Sequence, residues 1–197
     1  MNCIKLSFEE REATLLESKL FGYPYIPVGV AFPTTESGKE LVFLAQFNLA
    51  ELPALDYLPK QGMLQFFIFD DEDYGEDESY FATNTARIIY WPTIDNNAQV
   101  DKPLRNYNSD YLIGNKCVTI KGLLCQDNEK NPISTSKIGG YADFIQNDFR
   151  IGDLNRFRLL FQLSSSRYLN WGDGGNGYFF TDKDSIFTSN LFHWDCF

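Results

Sequence analysis

One short phrase occurs twice in the chain and limits what the chain can fold into. Ser18-Lys19-Leu20-Phe21-Gly22-Tyr23 returns as Ser136-Lys137-Ile138-Gly139-Gly140-Tyr141, and blocks around the two copies recur in the same order. Cys3-Ile4-Lys5-Leu6 corresponds to Cys117-Val118-Thr119-Ile120. Leu41 to Phe47 corresponds without a gap to Phe157 to Leu163, each run carrying a glutamine in sixth place, Gln46 and Gln162. Gly62 followed by Phe66-Phe67 matches Gly175 followed by Phe179-Phe180, and Ile89-Tyr90-Trp91 matches Phe192-His193-Trp194. The offset between copies shrinks steadily along the chain, as it does when two copies differ only in loop length. A long period with two copies implies duplication of a folding unit, not a solenoid, which stacks three or more. The expectation is one domain of two repeats, about 1–94 and 115–197, joined by a polar, turn-rich connection over about 95–114.

Alternation of apolar and polar residues at Cys3 to Phe8 has the period of a half-buried strand. Leu41 to Phe47 is apolar on both faces apart from Gln46, which predicts a strand covered on both sides. Further strands are predicted at Gly62 to Phe69, Ala86 to Trp91, Lys116 to Leu124, Phe157 to Leu163, Tyr178 to Thr181 and Leu191 to Cys196. Glu9 to Leu20 has a helical composition, but its counterpart contains Asn131-Pro132, so a loop or hairpin is expected in both. Phe144 to Asp153 reads as a short helix. The predicted fold class is therefore α+β and β-rich, with two halves of mainly antiparallel sheet related by an approximate twofold.

With 27 acidic against 17 Lys and Arg residues the formal charge is −10. Such a surface repels phosphate backbones, which argues against nucleic-acid binding. Cys3, Cys117, Cys125 and Cys196 form no C-x-x-C pair, and the first two occupy equivalent places in the repeats, which reads as core thiols of a reduced, cytoplasmic protein. No apolar run approaches membrane-spanning length. Asp70 to Glu78 packs seven carboxylates into nine residues. Its spacing lacks the ligand pattern of an EF-hand loop, so it reads as a solvated hairpin tip, and no metal or cofactor site is expected.

The remaining candidates are few. Gly172-Asp173-Gly174-Gly175-Asn176-Gly177 satisfies G-x-G-x-x-G, but it leads into a strand signal and not a helix, so a tight turn is expected in place of a dinucleotide cradle. Lys19 and Lys137 recur beside glycine turns and should bind carboxylates or turn carbonyls within the fold. Gln46 and Gln162 sit in apolar strands and need internal partners, because an unpaired buried amide costs roughly 1–3 kcal/mol. His193 shares a strand face with Asp195. Without G-x-S-x-G, H-E-x-x-H or a cysteine beside the histidine, no catalytic residue is assigned and the reading leans away from an enzyme. The copies differ most at Trp171 to Gly175 and at His193, whose place Tyr90 takes in the first copy by this alignment. Trp171, Asp173, His193 and Asp195 are therefore expected to meet at the mouth of a cleft as a ligand or partner site.

Several of these stretches together resemble the bacterial YwqG-like family, a domain of unknown function. The resemblance rests on Ser136 to Tyr141, on Leu44-Ala45-Gln46 followed by Leu49-Ala50-Glu51-Leu52-Pro53, and on Leu58-Pro59 through Phe66-Phe67. It extends to Trp171-Gly172-Asp173-Gly174-Gly175 with Phe179-Phe180, and to Trp194-Asp195-Cys196. Phe21 stands where the family pattern has a glycine. The resemblance covers nearly the whole chain and implies a bacterial accessory protein but no catalytic residues. The expected function is a noncatalytic binding module, a protein-partner binder or immunity-type inhibitor whose acidic surface suits a basic partner. The alternative is a small-ligand binder or hydrolase with a pocket between the repeats.

Overall fold

A computed structural model of the 197-residue chain describes residues 1–98 and 116–197. Most of the predicted connection at 95–114 lies outside the described residues. The described residues form ten strands: β1 (Asn2–Glu9), β2 (Lys19–Leu20), β3 (Val42–Asn48), β4 (Met63–Ile68), β5 (Ala86–Trp91), β6 (Val118–Gln126), β7 (Lys137–Gly139), β8 (Phe157–Ser164), β9 (Asn176–Asp182) and β10 (Asn190–Asp195). The only helical pieces among the described residues are 3-10 turns at Leu49–Glu51 and Gly152–Arg156. The α+β expectation is thus corrected to an almost wholly antiparallel β fold. The helix expected at Phe144 to Asp153 fails for a local reason. The Arg150 amide, which in a helix would donate to the Gln146 carbonyl, donates to the Asp148 side chain instead, and Ile145 and Gln146 donate to Asp195 on β10. Phe144 and Phe149 meanwhile both turn onto the sheet, against Phe180. No helix among the described residues is long and apolar enough to cross a membrane.

All ten strands form one sheet in the order β10-β9-β8-β7-β1-β6-β2-β3-β4-β5. The order reads the same from either end once β1 to β5 are matched with β6 to β10. The first strand of each half lies beside the second strand of the other, β1 on β7 and β6 on β2, while β1 and β6 pair at the centre. Neither half closes a sheet from its own strands. The register matches residue by residue: Lys19 faces Gln46 as Lys137 faces Gln162, and Phe66 lies opposite Ala45 as Phe179 lies opposite Phe161. A bulge interrupts β3 between Phe43 and Ala45 and β8 between Leu159 and Phe161, at corresponding places.

The last strand departs from the sequence alignment. Tyr90 pairs with Leu64, whereas His193 pairs with Tyr178, which holds the place of Gln65 in its half. The counterpart of His193 is therefore Ile89, not Tyr90, and the counterpart of Asp195 is Trp91. A one-residue slip moves every side chain to the opposite face of a sheet. His193 accordingly points outward, where Ile89 does, while Tyr90 points toward the main core.

The sheet curls until it nearly closes as a barrel. Its halves meet through Phe47, Phe66, Phe161 and Phe179, with ring centroids as close as 4.7 Å for Phe66 and Phe161. Near the open seam, Tyr80 to Ala82, from the connection between β4 and β5, lies along the outer edge of β10. Phe192 N donates to Tyr80 O, Ala82 N donates to Asn190 O, and Phe81 bridges to Leu191. On the other side of the seam, Phe187 from the β9–β10 loop packs on Tyr90 of β5. Two outer satellite cores complete the fold. One holds Leu41, Phe43 and Phe67 under Phe32, and the other holds Phe157, Leu159, Tyr178 and Phe180 under Phe144 and Phe149.

Candidate functional site

The repeated phrase is a structural clasp. Ser18 Oγ accepts the Asn48 amide and Ser136 Oγ accepts the Ser164 amide, each at 3.0 Å. Leu20 and Ile138 enter the main core fully buried. The next two residues turn through positive φ in both copies, Phe21 and Gly22 in one and Gly139 and Gly140 in the other. Phe21 thus adopts a left-handed conformation that glycine takes without steric cost. The glutamines brace the segments that roof the outer cores. Gln46 Oε1 accepts the Tyr25 amide and its Nε2 donates to Leu15 and Glu17 carbonyls, while Gln162 Oε1 accepts the Asp143 amide.

The paired lysines share a place but not a partner. Lys137 Nζ lies 2.9 Å from Asp127 Oδ2, with both side chains fully buried, and also donates to Ile133 O. Burial alone would raise Asp127, but hydrogen bonds from Tyr141, Lys137 and Ile133 outweigh it and hold the carboxyl below its ordinary value. Among the described residues, Lys19 Nζ donates to the carbonyls of Thr14 and Leu15 alone. Burial without a carboxylate pushes Lys19 down to about 8.

The structure does not gather Trp171, Asp173, His193 and Asp195 into one site. Trp171 is wholly buried on the inner side of the sheet, against Tyr74, Phe192 and the Cα of Gly177. A Cβ at Gly177 would stand 2.4 Å from the indole, which accounts for that glycine by packing and not by ligand approach. Asp173 is exposed at the tip of the turn. His193 and Asp195 lie on the outer face. The His193 ring packs on Phe149, centroids 4.5 Å apart, and its Nδ1 lies 2.8 Å from Glu76 Oε1. Asp195 is buried, accepting from the Tyr178 hydroxyl at 2.7 Å and from the Ile145 and Gln146 amides. Burial and this carboxylate raise the Tyr178 hydroxyl, keeping it a hydrogen-bond donor.

What the fold does build is a groove of about 370 Å³ between the acidic connection of the first half and the last strand of the second. Asp73, Glu76, Asp77, Glu78 and Asp195 line it, together with Tyr80, Gln146, Trp194 and Cys196. The acidic loop is anchored on β10: Trp194 Nε1 donates to Asp73 O, the Trp194 amide and His193 meet the Glu76 carboxylate, and the Tyr74 hydroxyl accepts the Gly172 amide. Tyr74 and Tyr80 both hold positive φ, at 52° and 63°, a strained conformation of the kind that clusters at functional sites. Hydrogen bonds from Ser79 hold Asp77 below its ordinary value. Asp73 and Glu78 have no hydrogen-bonding or ionic side-chain partner among the described residues. No group of three or more His, Cys, Asp or Glu among those residues is placed to hold a metal ion. The carboxylates instead cap turns and anchor the loop, or face the groove.

Of the residues singled out in the sequence, Asp195 lines the groove directly and His193 stands behind Glu76. The acidic block at Asp70 to Glu78, expected as a solvated hairpin tip, supplies Asp73, Glu76, Asp77 and Glu78, but its meeting with Trp194 carries no local signal, because the loop and the strand are more than a hundred residues apart. A search among curated proteins finds no match. Residues 18–196 match the family described as a domain of unknown function, DUF1963, and the chain belongs to that family.

Proposed function

We propose that this protein is a noncatalytic binding module whose groove receives a cationic group from a basic protein partner. The observation that carries this reading is the lining: five acidic and two aromatic residues border the groove, no Lys or Arg is among them, and Asp73 and Glu78 have no side-chain partner among the described residues. Carboxylates supply charge-assisted hydrogen bonds to guanidinium or ammonium, and the faces of Tyr80 and Trp194 add cation–π attraction. The volume falls within the usual range for ligand sites. A formal charge of −10 speeds encounter with a basic partner and repels nucleic acid. An immunity-type role, as an inhibitor of a basic toxin in a bacterial cytoplasm, fits the same chemistry and the YwqG-like resemblance. His193, wedged among aromatic rings and hydrogen-bonded to Glu76, acts here as a support for the loop and not as a base.

The palindromic strand order and the matched bulges support a single domain derived by duplication, with repeats at about 1–94 and 115–197. The groove then lies where the two repeats meet. A small organic cation is the second occupant this location favours.

Calorimetric titration with a short arginine-rich peptide tests the reading. Binding that weakens at least tenfold in Asp73→Asn/Glu78→Gln, at unchanged melting temperature, and that falls with added salt, is the expected result. Saturation by arginine amide alone, with no gain from the peptide, would favour the small-cation occupant. Peptide affinity unaltered by the double substitution would mean that the groove is not the binding site.

A further inference from the structure

Cys3 and Cys125 face each other directly across the central β1–β6 pair, flanked by Asn2 opposite Gln126 and Ile4 opposite Leu124. In an antiparallel ladder a residue's amide and carbonyl point to the same side. The Leu6 amide donates to Ser136 O and the Ile120 amide donates to Ser18 O, so even-numbered residues of β1 and β6 bond outward, to β7 and β2. The odd-numbered residues, Cys3 and Cys125 among them, therefore bond to each other. Opposed residues of that kind have Cα atoms roughly 5.5 Å apart, inside the range that a disulfide spans. Directly opposed residues also project from the same face of the ladder, so the two sulfurs start on one side with no strand shift required.

The two thiols differ in access. Cys3 is fully buried, and Cys125 is half-buried with its Sγ donating to Leu123 O. Burial, then the Asp127 carboxylate and the Cys125 thiol, push Cys3 up to about 11, so it stays protonated and shielded. Leu123 and Leu124 beside Cys125 are exposed, at 68% and 47%, which leaves this end of β6 open to a small oxidant. Cys117 and Cys196 have no such partner. Cys117 packs against Gly22, and Cys196 lies beside Gly172 and Gly175.

We propose that Cys3 and Cys125 are a thiol-modification site that a hydroperoxide converts to a disulfide fastening the N-terminal strand to β6. The Cys125 sulfur attacks the peroxide O–O bond, giving a sulfenic acid and releasing water or an alcohol. The Cys3 sulfur then displaces the hydroxyl from that sulfenic acid, forming the S–S bond with loss of a second water. Two thiols are oxidised by two electrons and one peroxide is reduced. The bridge joins the first strand of one half to the first strand of the other, across the centre of the palindrome.

The test treats the full chain with hydrogen peroxide, alkylates remaining thiols and digests without reduction. A Cys3–Cys125 linked peptide should accumulate, disappear on adding dithiothreitol and be absent in Cys125→Ser. The linked protein should melt roughly 5–10 °C higher, because a cross-link closing so long a loop restricts the unfolded chain. Cys125→Ser sits at a half-exposed position, so it folds even if Cys3→Ser does not. Recovery of Cys3 as the alkylated thiol, with Cys125 driven to sulfinic or sulfonic acid, would overturn the proposal. So would linked peptides confined to Cys117 or Cys196.

Discussion

Two lysines at one position of a repeated phrase show how little of a side chain's energetics is written in its own motif. Lys137 is neutralised by Asp127, ten residues upstream on the far side of a turn, and Lys19 has only carbonyls among the described residues. Asp127→Asn leaves a buried ammonium without a counter-ion and is expected to cost about 3–5 kcal/mol, read by denaturant melts. Because the Asp127 carboxyl is held below 3.8 in the fold, its contribution is complete above that value and is lost as pH falls through the lower folded value. Lys19 works in the opposite sense. Its folded value of about 8 lies below 10.5, so the unfolded chain binds the extra proton and raising pH across that window favours folding. Lys19→Met removes the buried charge. Its advantage over the unaltered protein should shrink by about 2 kcal/mol between pH 7 and pH 10. A constant difference across that range would mean that Lys19 finds a counter-charge.

At the scale of strands, legibility followed alternation. The blocks around Gln46 and Gln162 could be aligned because one polar residue in an apolar run fixes the phase, and the pairing of β3 and β8 follows it. The last strand could not be phased. Ile89-Tyr90-Trp91 and Phe192-His193-Trp194 are apolar or aromatic on both faces, so nothing in them distinguishes the register from its one-residue slip. The crossing of the acidic connection onto β10 was illegible for a different reason. It depends on curling of the whole sheet, which no local stretch encodes. The missing helix at Phe144 to Asp153 has a local cause in the Arg150 amide, which bonds to the Asp148 side chain, and a tertiary one in Phe144 and Phe149, which both cover Phe180.

The glutamine braces make a prediction at this scale. Gln46→Leu strips the Tyr25 amide of its acceptor, so that amide should exchange with solvent at least tenfold faster while the Asp143 amide, held by Gln162, stays protected. Packing makes another. Gly177→Ala should destabilise by about 1–3 kcal/mol, because its new methyl meets the Trp171 ring inside a filled core.

The whole molecule is one sheet whose halves exchange strands at the centre and clasp each other near the seam. Its acidic groove exists only because both halves are present, with the loop from one and β10 from the other. Splitting the chain into halves should therefore yield fragments that do not fold separately, since β1 and β6 would each lose both partner strands. The claim that this groove is the binding site is tested most directly by mapping amide chemical shifts as an arginine-rich peptide is added to isotopically labelled protein. Saturable shifts confined to Asp73 to Tyr80, Gln146 and Trp194 to Cys196, all suppressed in Asp73→Asn/Glu78→Gln, are the expected result. Shifts spread evenly over the acidic surface, or centred away from the groove and indifferent to that double substitution, would contradict it.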